Sequence, residues 1–367
     1  MPLLLRRWSM GDARGGVLLF CFFLASTAGA LVSRGVMNRS VAKGSLFTAM
    51  GAVSLASANS TWGFAAISLY GLGLGMAMTS TSLLISRRFP QERRVEMMRL
   101  NLLWAAGACA GPWLILGGRT LRAASATARP TYVLLTLAAG FAAWTVWTWL
   151  AESAGAAEVI DRAPSEAAGR LRAEPWAIFA IPLSLMILVF CATGTENATG
   201  GWLAAYAQRL GATAGTTIGA ATAFWAGLLG SRLVHSVRAM ERISERLVLP
   251  ATIGLMAAGL AVLVAWPGGI GSIGAAFAVG FGAGPVYPLL IAMILRRSEA
   301  RGLFVVAGAG ASALPLLTGA VSGWMHSLSA GLGVPLAAAG VMTVLALRLS
   351  AEGVMRPEPA SGEMLPG

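Results

Sequence analysis

Glu196 lies in GTENATGGW, residues 194–202, inside an apolar run that extends from Trp176 to about Tyr206. Of the fifteen acidic residues, it alone falls within an apolar span; the others fall in polar segments. A charge near the middle of a hydrocarbon layer costs about 2.5–3.5 kcal/mol on insertion scales, so an acid there faces a cavity, pairs with a cation or takes up a proton. Two roles fit the residue. Glu196 binds a solute, a coupling proton or a sodium ion, or else it is a structural carboxylate hydrogen-bonded within a break in its helix. The run is long for one straight crossing and Gly194, Gly200 and Gly201 weaken it, so a broken helix with free backbone donors and acceptors is expected here.

Other residue types could share a site with it. Asn197 and Trp202 occupy the same stretch, Asn101 and Trp104 lie one turn apart in an earlier run, and Trp225 and Tyr287 come from later ones. Amides or acids beside aromatic faces recognise polar solutes with a flat apolar side, although tryptophans and tyrosines in membrane helices also serve as packing groups and interfacial anchors. Thr79, at the head of the hydroxyl run that continues through Ser82, lines a cavity or bonds its own backbone. His235 and His326 stand apart, and Cys21, Cys109 and Cys191 fall in apolar runs. With no metal-ligand spacing, disulfide framework or nucleophile with a base, we expect no enzyme, cofactor or metal site.

The elements that must position these residues follow from composition. The chain is 56% hydrophobic and 11% charged, with a mean hydropathy of +0.72, whereas soluble domains carry about 25% charged residues. Apolar runs recur near residues 17–33, 45–60, 63–85, 100–118, 131–150, 176–206, 217–234, 248–266, 269–295, 303–324 and 331–347. None alternates as a barrel strand would, so the expected fold is all-α with eleven transmembrane helices. Most of the 27 basic residues fall in alternate connections if the C-terminus is cytoplasmic, among them Arg87, Arg88, Arg93, Arg94, Arg162, Arg232, Arg238, Arg296 and Arg348. The net charge of +12 is therefore a topology signal and not a nucleic-acid footprint.

The chain repeats itself. GLGLGMAMTSTSLLISRR from Gly71 overlies GFGAGPVYPLLIAMILRR from Gly280; GACAGP from Gly107 overlies GASALP from Gly310; AGALVSR from Ala28 overlies AGLLGSR from Ala226. The glycines at 71, 73 and 75 indicate close helix packing, since no Gly-Lys-Ser or Gly-Lys-Thr follows to cradle phosphate. The expected organisation is an outer segment at 1–14, a five-span bundle at 15–151, a cytoplasmic linker at 152–174, a six-span bundle at 175–349 and a cytoplasmic tail at 350–367. Carrying the offset back, the first-half partner of the run at 176–206 falls before Met1, with PLLLRRW as its last residues and Arg7 opposite Arg209; a missing first helix is expected.

Two parallel helical halves joined by a polar linker resemble the major facilitator superfamily, and within it the fucose permease branch of sugar:proton symporters. GTENATGGWLAAY, AFWAGLLGSRL, GFGAGPVYPLLIA, GAGASALPLLTGAVSGW and NLLWAAGACAGP resemble five motifs of that branch in order. The resemblance implies a secondary transporter in a membrane, expected to be a bacterial inner membrane, that moves a small organic solute by alternating access. The solute it implies is a sugar; on the residue types above, Glu196, Asn197, Asn101, Trp104, Trp202, Trp225, Tyr287 and Thr79 are expected to bind the solute, with Glu196 coupling it to a proton or sodium. A monomer in contact with lipid is expected. The departures are Met78 and Thr79 where the branch has a glutamate, and Ser33 in place of the superfamily's loop acid. They leave room for an exporter of a less polar metabolite or drug, or for a degenerate relative that does not transport.

Overall fold

The computed structural model describes residues 2–33, 37–89, 93–124, 132–151, 182–210, 214–235, 244–266, 268, 271–295 and 302–351. The expected linker and nearly all of the tail lie outside them. Each apolar run is a helix: α2 (Asp12–Val32), α3 (Met37–Ser57), α4 (Trp62–Arg88), α5 (Arg93–Ala124), α6 (Tyr132–Ala151), α7 (Leu183–Arg209), α8 (Ala214–His235), α9 (Glu245–Ala265), α10 (Gly271–Leu295), α11 (Gly302–Met325) and α12 (Leu328–Ala351), preceded by the six-residue α1 (Pro2–Arg7). Among the described residues, α2, α4, α6, α9, α10, α11 and α12 are long and apolar enough to cross a membrane by composition alone. The other long helices carry the polar cargo, such as Lys43 on α3 and Glu196 on α7. Trp144, Trp147 and Trp149 of α6 are 50–66% exposed, the pattern of a face turned to lipid in an integral membrane protein.

The repeat is visible in the packing. α2 lies on α4 as α8 lies on α10, α3 packs on α4 and α6 as α9 packs on α10 and α12, and across the seam α2 meets α11 while α5 meets α8. Exchanging the halves turns one seam contact into the other, so the two bundles are related by a pseudo-two-fold axis. The glycine runs show why the spacing recurs. A methyl group added at Gly71 or Gly75 would overlap the carbonyl oxygens of Phe22 or Ser26 on α2, and one at Gly73 would strike Thr48 on α3. One turn separates the first two, so they share a face, and the residue between them points to the opposite neighbour. Gly280 and Gly284 meet α8 in the same way, at Phe224 and Leu228, and Gly282 meets Thr252 on α9.

Among the described residues, one contact set has no first-half equivalent. α7 packs on α8, α10, α11 and α12, and Gly310 of α11 lies so close to α7 that a methyl there would overlap the Phe190 carbonyl. The repeat partner of Gly310 is Gly107 on α5, which has nothing within 4 Å of its Cβ direction. Leu103, one turn earlier, is 73% exposed. Against expectation, α7 is one continuous helix of 27 residues. Its glycines serve contact and not a break: Gly194 abuts the Gly310 carbonyl and Leu314, Gly200 lies under Trp225 and Phe224, and Gly201 faces Leu19.

Candidate functional site

α7 and α8 are joined by a short connection and run antiparallel, so register decides which side chains meet. Glu196 and Gly200 are one turn apart on one face of α7, and Trp225 and Arg232 are two turns apart on one face of α8. Trp225 covers Gly200, with its ring 3.0 Å from where a Cβ would stand. Two turns along α8, Arg232 reaches Glu196 with an Nη2 to Oε1 distance of 3.8 Å. Both side chains are largely but not fully covered, 15% exposed for Arg232 and 13% for Glu196. The Nε of Arg232 approaches the Gly284 carbonyl on α10 at 3.4 Å. Tyr287 lies one turn further along α10.

The other half supplies the lid of this cluster. Trp104, on α5, has its ring centroid 5.7 Å from the Arg232 guanidinium, within cation–π range. The same ring meets Trp225 edge-to-face at 5.7 Å. Trp104 remains 37% exposed, whereas Arg232 beneath it is mostly covered. A carboxylate, a guanidinium and two indoles from α5, α7 and α8, with a backbone carbonyl of α10, thus converge at the seam. Arg232 is a correction to the sequence reading, which counted it among loop cations. Its position near the end of an apolar run is what a loop residue shows too, and the signal that separates the two is its heptad spacing from Trp225, opposite the Glu196 and Gly200 pair.

The remaining predicted residues are placed elsewhere or otherwise engaged. Asn197 donates its Nδ2 to the Thr193 carbonyl of its own helix at 2.8 Å. Trp202 is fully buried, and its indole N–H donates to the Pro315 carbonyl on α11 at 3.0 Å. Asn101 is exposed one turn before Trp104 on α5. Thr79 is half-buried on α4, which packs against α2, α3 and α5. A surface hollow of ≈ 490 Å³ near the turn between α3 and α4, lined by Ser57, Asn59 and Trp62, touches none of the predicted residues.

A second polar cluster closes the end of the seam where α2 begins and α7 finishes. Arg209 at the last turn of α7 makes a bidentate ion pair with Asp12, the first residue of α2. Ser322 of α11 donates to the same carboxylate at 2.5 Å. Asp12 is 5% exposed. The sequence reading left it in a polar segment because the apolar run starts later than the helix. Below it, Gly16 and Gly319 bring α2 and α11 into backbone contact.

Compared with known proteins, this arrangement has the major facilitator fold, two pseudo-symmetric helical bundles. The E. coli fucose:proton symporter FucP matches over 92% of this chain and 90% of its own, at 17% identity and a TM-score of 0.56. A bacterial homologue of the human lysosomal transporter Spinster, in an inward-facing and occupied conformation, matches over 98% and 93%, at 14% identity and a TM-score of 0.62. The human organic anion transporter MFSD10 matches over 91% and 83%, at 15% identity and a TM-score of 0.58. No protein-family model and no curated protein sequence matches the chain.

Proposed function

We propose that this protein is a secondary active transporter that moves a small organic solute across a membrane by alternating access, with the Glu196 and Arg232 pair at its solute and proton site. One observation carries the reading: a charged pair held by the second bundle is covered by Trp104 from the first. Rocking the bundles about the seam would lift that indole from the pair and expose it to one side of the membrane. The distribution of basic residues supports a cytoplasmic C-terminus, and in that orientation the Asp12, Arg209 and Ser322 cluster seals the outer end. Glu196 is a suitable proton carrier because protonation would release Arg232, and the cation would stay in the site to hold a solute. A proton and not sodium is the coupling ion this pairing favours, since a guanidinium beside the carboxylate repels a second cation. The fold it shares with a fucose:proton symporter supports a sugar as one solute to test.

The test is uptake into proteoliposomes across a pH gradient with a panel of sugars, organic acids and hydrophobic amines. With one proton per solute, the steady-state accumulation ratio of the true solute is expected to rise about tenfold per unit of imposed pH gradient in the limit of tight coupling. Glu196→Gln is expected to abolish that dependence while retaining exchange of labelled for unlabelled solute. A Glu196→Gln protein that still accumulates solute with wild-type pH dependence overturns the assignment of the proton to this carboxylate.

A further inference from the structure

We infer that the solute is a small organic anion, a carboxylate or sulfonate with a flat apolar body, which binds the Arg232 guanidinium while Glu196 holds the coupling proton. The inference rests on the transport reading and adds the substrate class. Arg232 offers five N–H donors in a planar fork that suits a bidentate anion. Among the described residues, its polar contacts are the Gly284 carbonyl at 3.4 Å and Glu196 at 3.8 Å. The second distance is beyond hydrogen-bond length. Glu196 therefore balances the charge without taking up the fork, and the guanidinium, its side chain 15% exposed, keeps donors to give.

The charge count then sets the coupling. Arg232 of α8 is the charged group beside Glu196; α8 also carries His235, whose Nδ1 lies 2.8 Å from the Ser231 carbonyl, and α10 carries Tyr287. α11 carries none, α12 carries Arg348 in its last turn, and the arginines of α1, with Arg209 and Asp12, lie at the other end of the seam. An entering anion would put two negative groups on one guanidinium. A proton on Glu196 removes one of them, so anion and proton bind together, and when the anion leaves Glu196 returns to Arg232. The wall beside the fork is aromatic: Trp104 stands over Arg232 and meets the Trp225 edge. A neutral polyol would need an array of amides, yet one N–H of Asn197 and the Trp202 N–H are committed to backbone carbonyls.

The experiment is calorimetric titration of the purified full chain with benzenesulfonate, its neutral isostere benzenesulfonamide, and fucose. Benzenesulfonate stays anionic from about pH 5 to about pH 8, so any pH dependence belongs to the protein. Wild type is expected to bind benzenesulfonate about tenfold more tightly at the lower pH and to bind the sulfonamide at least about tenfold more weakly. Glu196→Gln is expected to bind the sulfonate at both pH values as wild type does at the lower one. Arg232→Gln is expected to lose binding and Arg232→Lys to keep part of it; if either is unfolded, the sulfonate and sulfonamide comparison on wild type decides. Equal affinity for the two isosteres, or sulfonate binding that survives in folded Arg232→Gln, overturns the inference. Fucose binding without sulfonate binding also overturns it and leaves transport standing. Sulfonate binding with no uptake of any solute overturns transport instead and leaves the anion site.

Discussion

A carboxylate alone in hydrocarbon is driven toward its neutral form; Glu196 has instead a guanidinium 3.8 Å away that shares its burial. Pairing lowers the cost of keeping both groups charged, and the gap between them means that either can exchange partners without first breaking a tight bidentate bond. The same scale separates a tryptophan that faces the charged pair from one that packs. Trp104 is over a third exposed and faces Arg232, whereas Trp202 is sealed between α7 and α11 with its N–H on Pro315. Trp202→Phe removes that hydrogen bond while the Pro315 carbonyl keeps its place in the α11 backbone ladder, at a cost of about 0.5–1.5 kcal/mol. Thermal unfolding in detergent is expected to show the loss, and uptake kinetics an unchanged KM. A KM shifted several-fold with unaltered melting would instead put Trp202 against the solute.

At the scale of helices, glycine spacing carries most of what was readable from the chain. Gly71, Gly73 and Gly75 and their partners from Gly280 onward mark two faces of one helix, so the repeat and its neighbours follow from positions alone. What stayed hidden depends on three-dimensional register. The glycines around Glu196 have the composition of a break, and only the approach of Gly310, Trp225 and Leu19 explains them as contacts within a continuous α7. Arg232 and Asp12 sit where helix and loop compositions overlap, so burial and pairing, not sequence position, reveal them. The unequal surroundings of equivalent glycines give a paired prediction. Gly310→Ala would push a methyl into the Phe190 carbonyl and is expected to cost about 1–3 kcal/mol. Gly107→Ala meets open space and is expected to be neutral or to stabilise α5 by about 0.5–1 kcal/mol. Unfolding of the two single variants side by side tests this, and equal destabilisation would contradict the open face on α5.

For the whole molecule, the pseudo-two-fold axis gives the halves two seam contacts of the same kind but different grip. α2 and α11 are zipped by Gly16, Gly319 and Gly323 and latched by Asp12, while α5 and α8 meet through the Trp104 and Trp225 edge. If solute passes along the seam, the zipped end must part in each cycle, although it lies several turns from Glu196. A Cβ at Gly323 would stand 3.1 Å from that of Ala13, and a disulfide needs roughly 3.5–4.5 Å, so a small shift accommodates one. Ala13→Cys with Gly323→Cys, in a background with Cys21, Cys109 and Cys191 replaced by serine, is therefore expected to crosslink α2 to α11 under oxidation. Uptake in proteoliposomes is expected to fall at least about tenfold and to return with reductant, and each single cysteine variant to transport normally. The crosslink touches no residue of the charged pair, so solute binding to the crosslinked protein is expected to persist from the opposite side. Full uptake through the crosslinked form would show that the halves do not part at this end, and the rocking mechanism would fail with it.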